Sequence, residues 1–234
     1  MEYSVLNPRG EIDPIEYIAL QPRVKDLNGK TIGLFAYFKK HWVLILDEVE
    51  RQLKARYPSA RFTRFQYIKD PSTHNTVAEI AKDPEVRPQF EEWLKGVDCV
   101  VSANGDAGSC ALYLAYNTSL VERLGKPAVN LINKEFINIT KSAISLRGVP
   151  NLRYVVCNVP DLSMETNLER AIKEIIPPRI SAVLDDIVKG LTSPLNAEDK
   201  SVQKNTKKEP RIVCQGSLEE INSFYYRKGS TTCR

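Results

Sequence analysis

Short apolar runs alternate with longer amphipathic stretches through most of this chain. Residues 31–37 form an apolar run typical of a buried strand, and residues 42–54 place apolar residues at helical spacing with charged residues on the other face. The same alternation repeats four more times. It predicts further strands at 61–68, 97–101, 127–132 and 154–159, and further helices in a segment that ends near 95, from about 109 to 124, at 136–146 and at 167–191.

Five strands that alternate with helices indicate a three-layer α/β fold. A mainly parallel sheet of about five strands, doubly wound and flavodoxin- or Rossmann-like, would then be covered by helices on both faces. In such sheets ligands bind at the carboxyl ends of the strands, beside a reversal in strand order. We therefore expect a site among the loops that follow the strands.

The two ends of the chain differ in character from the middle. The first residues hold three prolines and no sustained period, which predicts an extended arm lying on the domain. Near the other end, a polar, lysine-rich stretch predicts a disordered linker. After it, Ser217 and Glu220 form a capping box at the start of a short helix. The predicted division is an arm at 1–29, an α/β domain at 30–191, a linker at 192–210 and a strand–helix tail at 211–234 that either docks on the main domain or is a truncated module.

Composition narrows the class of protein. A chain of 234 residues with 42% hydrophobic residues can bury a substantial single core. The net charge of +4 is too weak to argue for a nucleic-acid partner. There is no apolar run long enough to span a membrane, and the start of the chain carries acids where a signal peptide needs basic and then apolar residues. These features predict a cytoplasmic protein with neither a nucleic-acid nor a membrane partner.

The number and spacing of the cysteines are not typical of disulfide bridges or of a structural metal site. Five cysteines are an odd number, they are widely scattered with no C-x-x-C pair, and there are only two histidines. A disulfide framework or a structural metal site is therefore not expected. Cys99 and Cys157 fall in predicted strands and are expected in the core. No glycine-rich dinucleotide fingerprint follows the first strand, so no cofactor is evident.

The loop between the third strand and its helix carries the best candidate for chemistry. Gly105 and Gly108 permit close approach to the backbone, Ser109 is small, and Cys110 falls in the first helical turn. Backbone N–H groups and the dipole at a helix start favour an anion and lower the pKa of a thiol. Asp106 either orients a substrate or water or caps the helix. The alternative is that Cys110 has no chemical role and is a small apolar residue of the core.

Two further loops contribute candidate groups. Glu135, after the fourth strand, is the best-placed second carboxylate for acid–base work. Lys39, after the first strand, would hold an anionic group of a substrate. His41 and His74 are the only imidazoles available as general bases.

Four segments together carry a resemblance to a known family. They are DLNGKTIGL at 26–34, GDAGSC at 105–110, ERLGKPAVNLI at 122–132 and RGVPNLRYVV at 147–156. This arrangement resembles the UGSC family, named for a selenocysteine or cysteine followed by Gly, Ser and Cys, and the likeness covers roughly residues 5–190. The resemblance implies an α/β domain with a thiol or selenol site that acts in thiol redox chemistry on a poorly defined substrate.

The resemblance extends residue by residue, with departures at Ala107, at Asn158 and around Lys39, where AYFKKHW replaces asparagine-containing surroundings. Gly108, Ser109 and Cys110 match the motif, whereas its first position holds Ala107. A local cycle of attacking and resolving thiols is then unavailable. Lys39 corresponds to a lysine after the family's first strand. Asn158 stands where related sequences often carry a histidine after the fifth strand, and it is assigned to substrate binding.

These observations predict an enzyme that uses Cys110 as a nucleophilic thiolate on a small-molecule substrate. Asp106 and Ser109 would shape the loop, and a second thiol would come from a cofactor such as glutathione or from a partner protein. The alternative is a non-catalytic binding or partner subunit, homo-oligomeric or bound to another protein, that keeps the fold without the redox pair. A third possibility is an anion- or flavin-binding domain of flavodoxin-like shape.

Overall fold

The computed structural model describes residues 1–6, 15–36, 40–65, 79–105, 108–159, 167–201 and 212–228. The chain divides into two compact units, a larger one at Tyr17–Gln203 and a smaller one that joins Met1–Glu16 with Lys204–Arg234. In chain order the strands are β1 (Tyr3–Leu6), β2 (Thr31–Ala36), β3 (Arg61–Phe65), β4 (Cys99–Gly105), β5 (Ala128–Ile132), β6 (Arg153–Val156) and β7 (Ile212–Gly216). The helices are α1 (Lys40–Arg56), α2 (Val86–Lys95), α3 (Gly108–Arg123), α4 (Ile137–Leu146), α5 (Leu168–Arg170), α6 (Ile176–Thr192) and α7 (Leu218–Lys228).

The larger unit is built on a parallel sheet with the strand order β3-β2-β4-β5-β6. Its central strands are continuous apolar runs because they are buried on both faces. Helices α1 and α6 contact each other, and so do α3 and α4. The crossover from β2 to β3 runs in one direction along the sheet, and the crossovers to β4, β5 and β6 run in the other. Because such crossovers are right-handed, the two helix pairs lie on opposite faces of the sheet. The predicted three-layer α/β fold is confirmed.

The strand order reverses between β2 and β4. The chain passes from β2 outward to β3, then crosses back over β2 to β4, and both neighbours of β2 pair with it in parallel. Helices α1 and α3, which follow β2 and β4, therefore lie on opposite faces of the sheet, and a ligand is expected between the carboxyl ends of these two strands.

An aromatic cluster attaches α2 to the edge of the sheet. The ring of Phe90 meets Phe35 on β2 and Phe65 on β3 edge-to-face, at centroid distances of 5.6 and 4.9 Å. The indole of Trp93 lies over Gly33, where a Cβ would come within 2.8 Å of the ring. A glycine at this strand position lets the helix approach closely.

The residues before β2 cross the amino end of the sheet as an extended segment. Backbone bonds run from Ile18 N to Gly148 O at 2.8 Å and from Val24 N to Leu191 O at 3.2 Å. Arg23 and Glu122 form an ion pair of 2.6 Å, with their side chains 1% and 0% exposed. Burial raises the pKa of Glu122, while Arg23 and backbone N–H groups oppose that rise. This segment thus links the C-terminal ends of α3, α4 and α6.

Helix ends follow the predicted signals. Gly125 ends α3 with φ of +89°, a conformation that favours glycine. In the smaller unit, where β1 pairs antiparallel with β7, Ser217 N donates to Glu220 Oε2 at 2.8 Å and Glu220 N donates to Ser217 Oγ at 3.3 Å. The capping box is confirmed.

The last helical region of the larger unit is split, as Pro177 and Pro178 predict, and the irregular turn lies just before these prolines. It begins with α5, continues as a π-helical turn at Ala171–Ile175, and becomes α6 at Ile176. Pro177 and Pro178 lack the N–H that a helix interior needs, and they are accommodated in the first turn of α6. The sequence-based domain limits stay a prediction. Residues 193–201 of the predicted linker form turns in which Asp199 N donates to Asn196 Oδ1 at 2.8 Å, and most of its remainder lies outside the described residues.

Candidate functional site

The loop after β4 ends at the start of α3, beside the strand reversal. Gly105 closes β4 and pairs with Ile132 at the end of β5, after a shift in register that follows Ser102. Gly108, Ser109 and Cys110 form the first turn of α3. The structure therefore brings four of the predicted site residues to the carboxyl end of the sheet. Asp106 and Lys39, together with Ala107 and His74, lie outside the described residues.

Cys110 is the third residue of a helix that is 16 residues long. Its residue surface is 8% exposed, whereas its neighbour Ser109 is exposed. The first N–H groups of a helix have no intrahelical acceptor and carry partial positive charge. Cys110 thus sits at the boundary between core and solvent, in a turn suited to an anion.

The other thiols of the larger unit are placed differently. Cys99 is 0% exposed and Cys157 1% exposed, so both are core residues as predicted. Burial raises the pKa of the Cys99 thiol to about 12 and that of Cys157 to about 11. Both thiols are therefore protonated at neutral pH, and neither is a candidate nucleophile.

Gly108 is not required by the fold. Its φ is not in the positive range that favours glycine, and a Cβ at this position would meet no atom of the described residues within 4 Å. Gly190 behaves in the opposite way, because its Cβ would lie 2.4 Å from Val129 Cγ2. The open space at Gly108 leaves the backbone of the first helical turn accessible to a ligand.

Glu135 lies at the same edge of the sheet, one strand away from β4. It is the middle residue of the 3-10 turn Lys134–Phe136 that joins β5 to α4, and it is exposed. Within the described part of the chain it makes no hydrogen bond or ion pair, so it is not hydrogen-bonded to Cys110. Its carboxylate stands available at the end of β5.

Asn158 follows β6 in a tight turn that Val159 N closes by donating to Cys157 O at 2.9 Å. The residue is exposed, and its Oδ1 accepts a hydrogen bond from Lys134 N at 3.1 Å. The assignment of Asn158 to substrate binding is untested, and the structure adds a role in holding the β5 loop.

Asn133 is a polar residue of this edge that the sequence reasoning did not single out. It is 8% exposed, and its Nδ2 donates to Val159 O at 3.0 Å. Its carbonyl also accepts from Phe136 N at 3.0 Å, which closes the turn that carries Glu135. The signal in the sequence is that Asn133 is the first polar residue after the apolar end of β5.

Comparison with known proteins identifies the family of this chain. The model of the UGSC family matches residues 4–193. The chain belongs to the UGSC family. No curated protein matches it. Among solved structures, the flavoenzyme NAD(P)H:(acceptor) oxidoreductase FerB from Paracoccus denitrificans is similar at 12% identity with a TM-score of 0.36, covering 70% of this chain and 95% of the FerB chain.

The UGSC match includes most of the larger unit and the candidate site. It extends from β1 to the end of α6, and so includes the whole parallel sheet and the turn of Gly108, Ser109 and Cys110. The suspected membership is confirmed. Reactivity of the thiol and the roles of the surrounding residues stay predictions.

Two kinds of feature are not found among the residues that the structure describes. Among them no group of three or more His, Cys, Asp or Glu side chains is arranged to hold a metal ion. None of the helices, so far as they are described, is long and apolar enough to cross a bilayer.

Proposed function

We propose that this chain is an enzyme that uses Cys110 as a nucleophilic thiolate on a small electrophilic substrate. The observation that carries the proposal is the position of Cys110 in the first turn of α3, at the carboxyl end of β4 and beside the strand reversal. A thiolate is favoured at a helix start, and α/β sheets bind ligands at this point. Membership in the UGSC family supports the same proposal.

Thiol–disulfide exchange is the reaction that best fits these groups. The Cys110 thiolate attacks one sulfur of a disulfide, a new S–S bond forms, the old S–S bond breaks, and the other sulfur leaves as a thiolate that takes a proton from solvent. Because the motif position before Gly108 holds Ala107, no neighbouring thiol resolves the mixed disulfide. A second thiol molecule such as glutathione then attacks it and restores Cys110, so the two exchanges consume one disulfide and one thiol and yield a new disulfide and a new thiol.

Two roles around the thiol complete the proposal. Backbone N–H groups of Gly108 and Ser109 would stabilise the developing negative charge, because they are at the unsatisfied end of α3. Lys39 would bind an anionic group of the substrate, and Asp106 would shape the loop. The last two assignments rest on the sequence alone.

The test is the pH dependence of alkylation at each cysteine in the folded protein, located by mass spectrometry. We expect Cys110 to react selectively with iodoacetamide, with an apparent pKa clearly below the value of about 8.5 for an ordinary thiol. Cys99 and Cys157 serve as buried internal controls, and the partly exposed Cys214 serves as an accessible thiol outside the larger unit.

A Cys110→Ala variant shows whether the fast alkylation comes from Cys110. If it removes the fast phase, the thiolate mechanism survives and disulfide substrates are then screened. If Cys110 in the wild-type protein reacts no faster than Cys99 or Cys157, the catalytic assignment is wrong. A non-catalytic partner subunit would then be the better explanation, and it predicts a stable complex.

A further inference from the structure

We infer that Asn158 is a specificity-determining residue that selects substrates with a hydrogen-bond acceptor, such as a carboxylate, about two strand spacings from the reacting atom. This inference rests on the proposed function, because it names the class of substrate that reaches Cys110. It goes beyond that function, since nothing in the thiol chemistry itself requires such a group.

The orientation of the Asn158 amide is set by its neighbour. Its Oδ1 accepts from Lys134 N at 3.1 Å, so the oxygen is committed to the β5 loop. The Nδ2 group is the other branch of the same planar amide and carries two N–H donors. Within the residues that the structure describes, Nδ2 makes no hydrogen bond, and Asn158 is exposed. The side chain therefore presents two N–H donors to a ligand, while one lone pair of its oxygen is already used by Lys134 N.

The turn that carries Asn158 is held from both sides. Asn133 Nδ2 donates to Val159 O at 3.0 Å in a buried contact, and Cys157 N donates to Ile132 O at 2.8 Å. With the bond from Lys134 N, these contacts link the loops after β5 and β6. A donor fixed in this way loses little conformational entropy when it binds an acceptor.

The sheet spaces apart the two strand ends that lead to Asn158 and to Cys110. Asn158 follows β6 and Cys110 follows β4, with β5 between them. Adjacent strands lie about 4.8 Å apart, so the two strand ends are separated by about 10 Å. A substrate that engages both must carry its acceptor group several bonds away from the electrophilic atom. Glutathione disulfide, whose carboxylates lie several bonds from the sulfur, has these dimensions.

A conservative substitution isolates this role. In Asn158→Asp one carboxylate oxygen still accepts from Lys134 N, while the other replaces the Nδ2 donors with a negative acceptor. Lys54→Gln is the matched control, because it lowers the net charge by the same amount on an exposed residue in the last turn of α1, at the amino end of the sheet. Any general effect of charge would appear in both variants.

The experiment compares the rates at which Cys110 reacts with glutathione disulfide and with the neutral bis(2-hydroxyethyl) disulfide. We expect Asn158→Asp to lower the ratio of the two rates about tenfold, the size of one charge-assisted hydrogen bond. The rate with the neutral disulfide should stay within about twofold. Lys54→Gln should leave the ratio unchanged.

The outcomes separate this inference from the proposed function. An unchanged ratio in Asn158→Asp, with Cys110 still fast toward the neutral disulfide, overturns the inference alone. If neither disulfide reacts with Cys110, the proposed function fails, and a second measurement decides the inference. In that case the Cys110→Ser protein is titrated with S-methylglutathione while the side-chain amide resonances of Asn158 are followed by NMR. A saturable shift supports the inference, and its absence overturns it.

Discussion

At the scale of single residues, Gly108 is a glycine that the fold itself does not require. Gly108 has open space around it and an ordinary φ, so Gly108→Ala should leave the free energy of unfolding unchanged or raise it by up to about 1 kcal/mol, because alanine favours helix. We expect the same variant to slow the reaction of Cys110 with a bulky disulfide, since a methyl group would crowd the first turn of α3. Urea unfolding and the rate of disulfide exchange test the two parts separately.

The size of the reagent provides the control for this substitution. A small reagent such as iodoacetamide should react with Cys110 in Gly108→Ala at nearly the wild-type rate. If the bulky disulfide is not slowed, the space at Gly108 does not serve substrate access. If both reagents are slowed equally, the substitution has changed the thiol itself.

The buried thiols give a pH dependence at the same scale. Burial raises the pKa of Cys99 to about 12 and of Cys157 to about 11 in the folded protein, above the value of about 8.5 for an exposed thiol. A group whose pKa is raised by folding contributes stability that is present below its unfolded pKa and lost as pH rises toward its folded pKa. Because burial keeps both thiols protonated in the folded protein, we expect them to resist alkylation at pH 9 and to react at once when urea unfolds the chain. Rapid labelling of either thiol at pH 9 without denaturant would contradict their burial.

At the scale of elements, α6 approaches β5 at a single glycine. Gly190→Ala would place a Cβ 2.4 Å from Val129 Cγ2, so we expect a loss of about 1–3 kcal/mol of unfolding free energy despite the better helix propensity of alanine. The double variant with Val129→Ala removes the methyl groups that clash. It should show a favourable coupling of at least about 1 kcal/mol in a double-mutant cycle. Additive effects would mean that α6 shifts away from the sheet instead.

The end of α6 depends on one arginine of β6. Arg153 donates to the carbonyls of Gly190 and Ser193 at 3.1 and 2.9 Å and to Asp199 Oδ2 at 2.8 Å, with the side chains of Arg153 and Asp199 19% and 10% exposed. We expect Arg153→Ala to lower the unfolding free energy by about 2–4 kcal/mol, because several partly buried acceptors lose their donor.

Two variants show whether the shape of the guanidinium matters at that position. Arg153→Lys keeps the charge but cannot reach several carbonyls at once, so it should recover only part of the loss. Lys173→Ala, which breaks an exposed ion pair of 69% and 74% exposed side chains, should change stability by less than about 0.5 kcal/mol. If Arg153→Ala and Lys173→Ala lower the unfolding free energy equally, as measured by urea unfolding, then Arg153 does not hold the end of α6.

At the scale of the whole molecule, periodicity predicts the sheet well and the polar edge poorly. The apolar runs at β2, β4 and β5 exist because parallel strands are buried on both faces, and that burial is visible in sequence. The contacts of Asn133 and Asn158 with the neighbouring loop depend on two strands that lie more than 20 residues apart in the chain. Such pairings leave no periodic signal. The partner of β1 was likewise hidden, because β7 comes from the other end of the chain.

The two units differ in how completely they bury their apolar residues. Among the described residues, the buried hydrophobic core extends only from Leu20 to Leu191, within the larger unit. Six large hydrophobic residues of the smaller unit are exposed, and a two-stranded sheet with one helix is marginal by itself. They are Met1, Tyr3, Leu6, Ile212, Val213 and Leu218.

A fragment of residues 17–203 should therefore fold cooperatively without the rest of the chain. We expect its melting temperature, followed by circular dichroism, to lie within about 5 °C of the full chain, since a change of 1 kcal/mol shifts a domain of this size by about 2–4 °C. Selective alkylation of Cys110 should persist in the fragment, because α3 and the strand ends around it all lie in the larger unit. A fragment that melts without cooperativity would show that the core of the larger unit needs the chain termini. A fragment that folds but loses Cys110 reactivity would place part of the reactive site in the smaller unit.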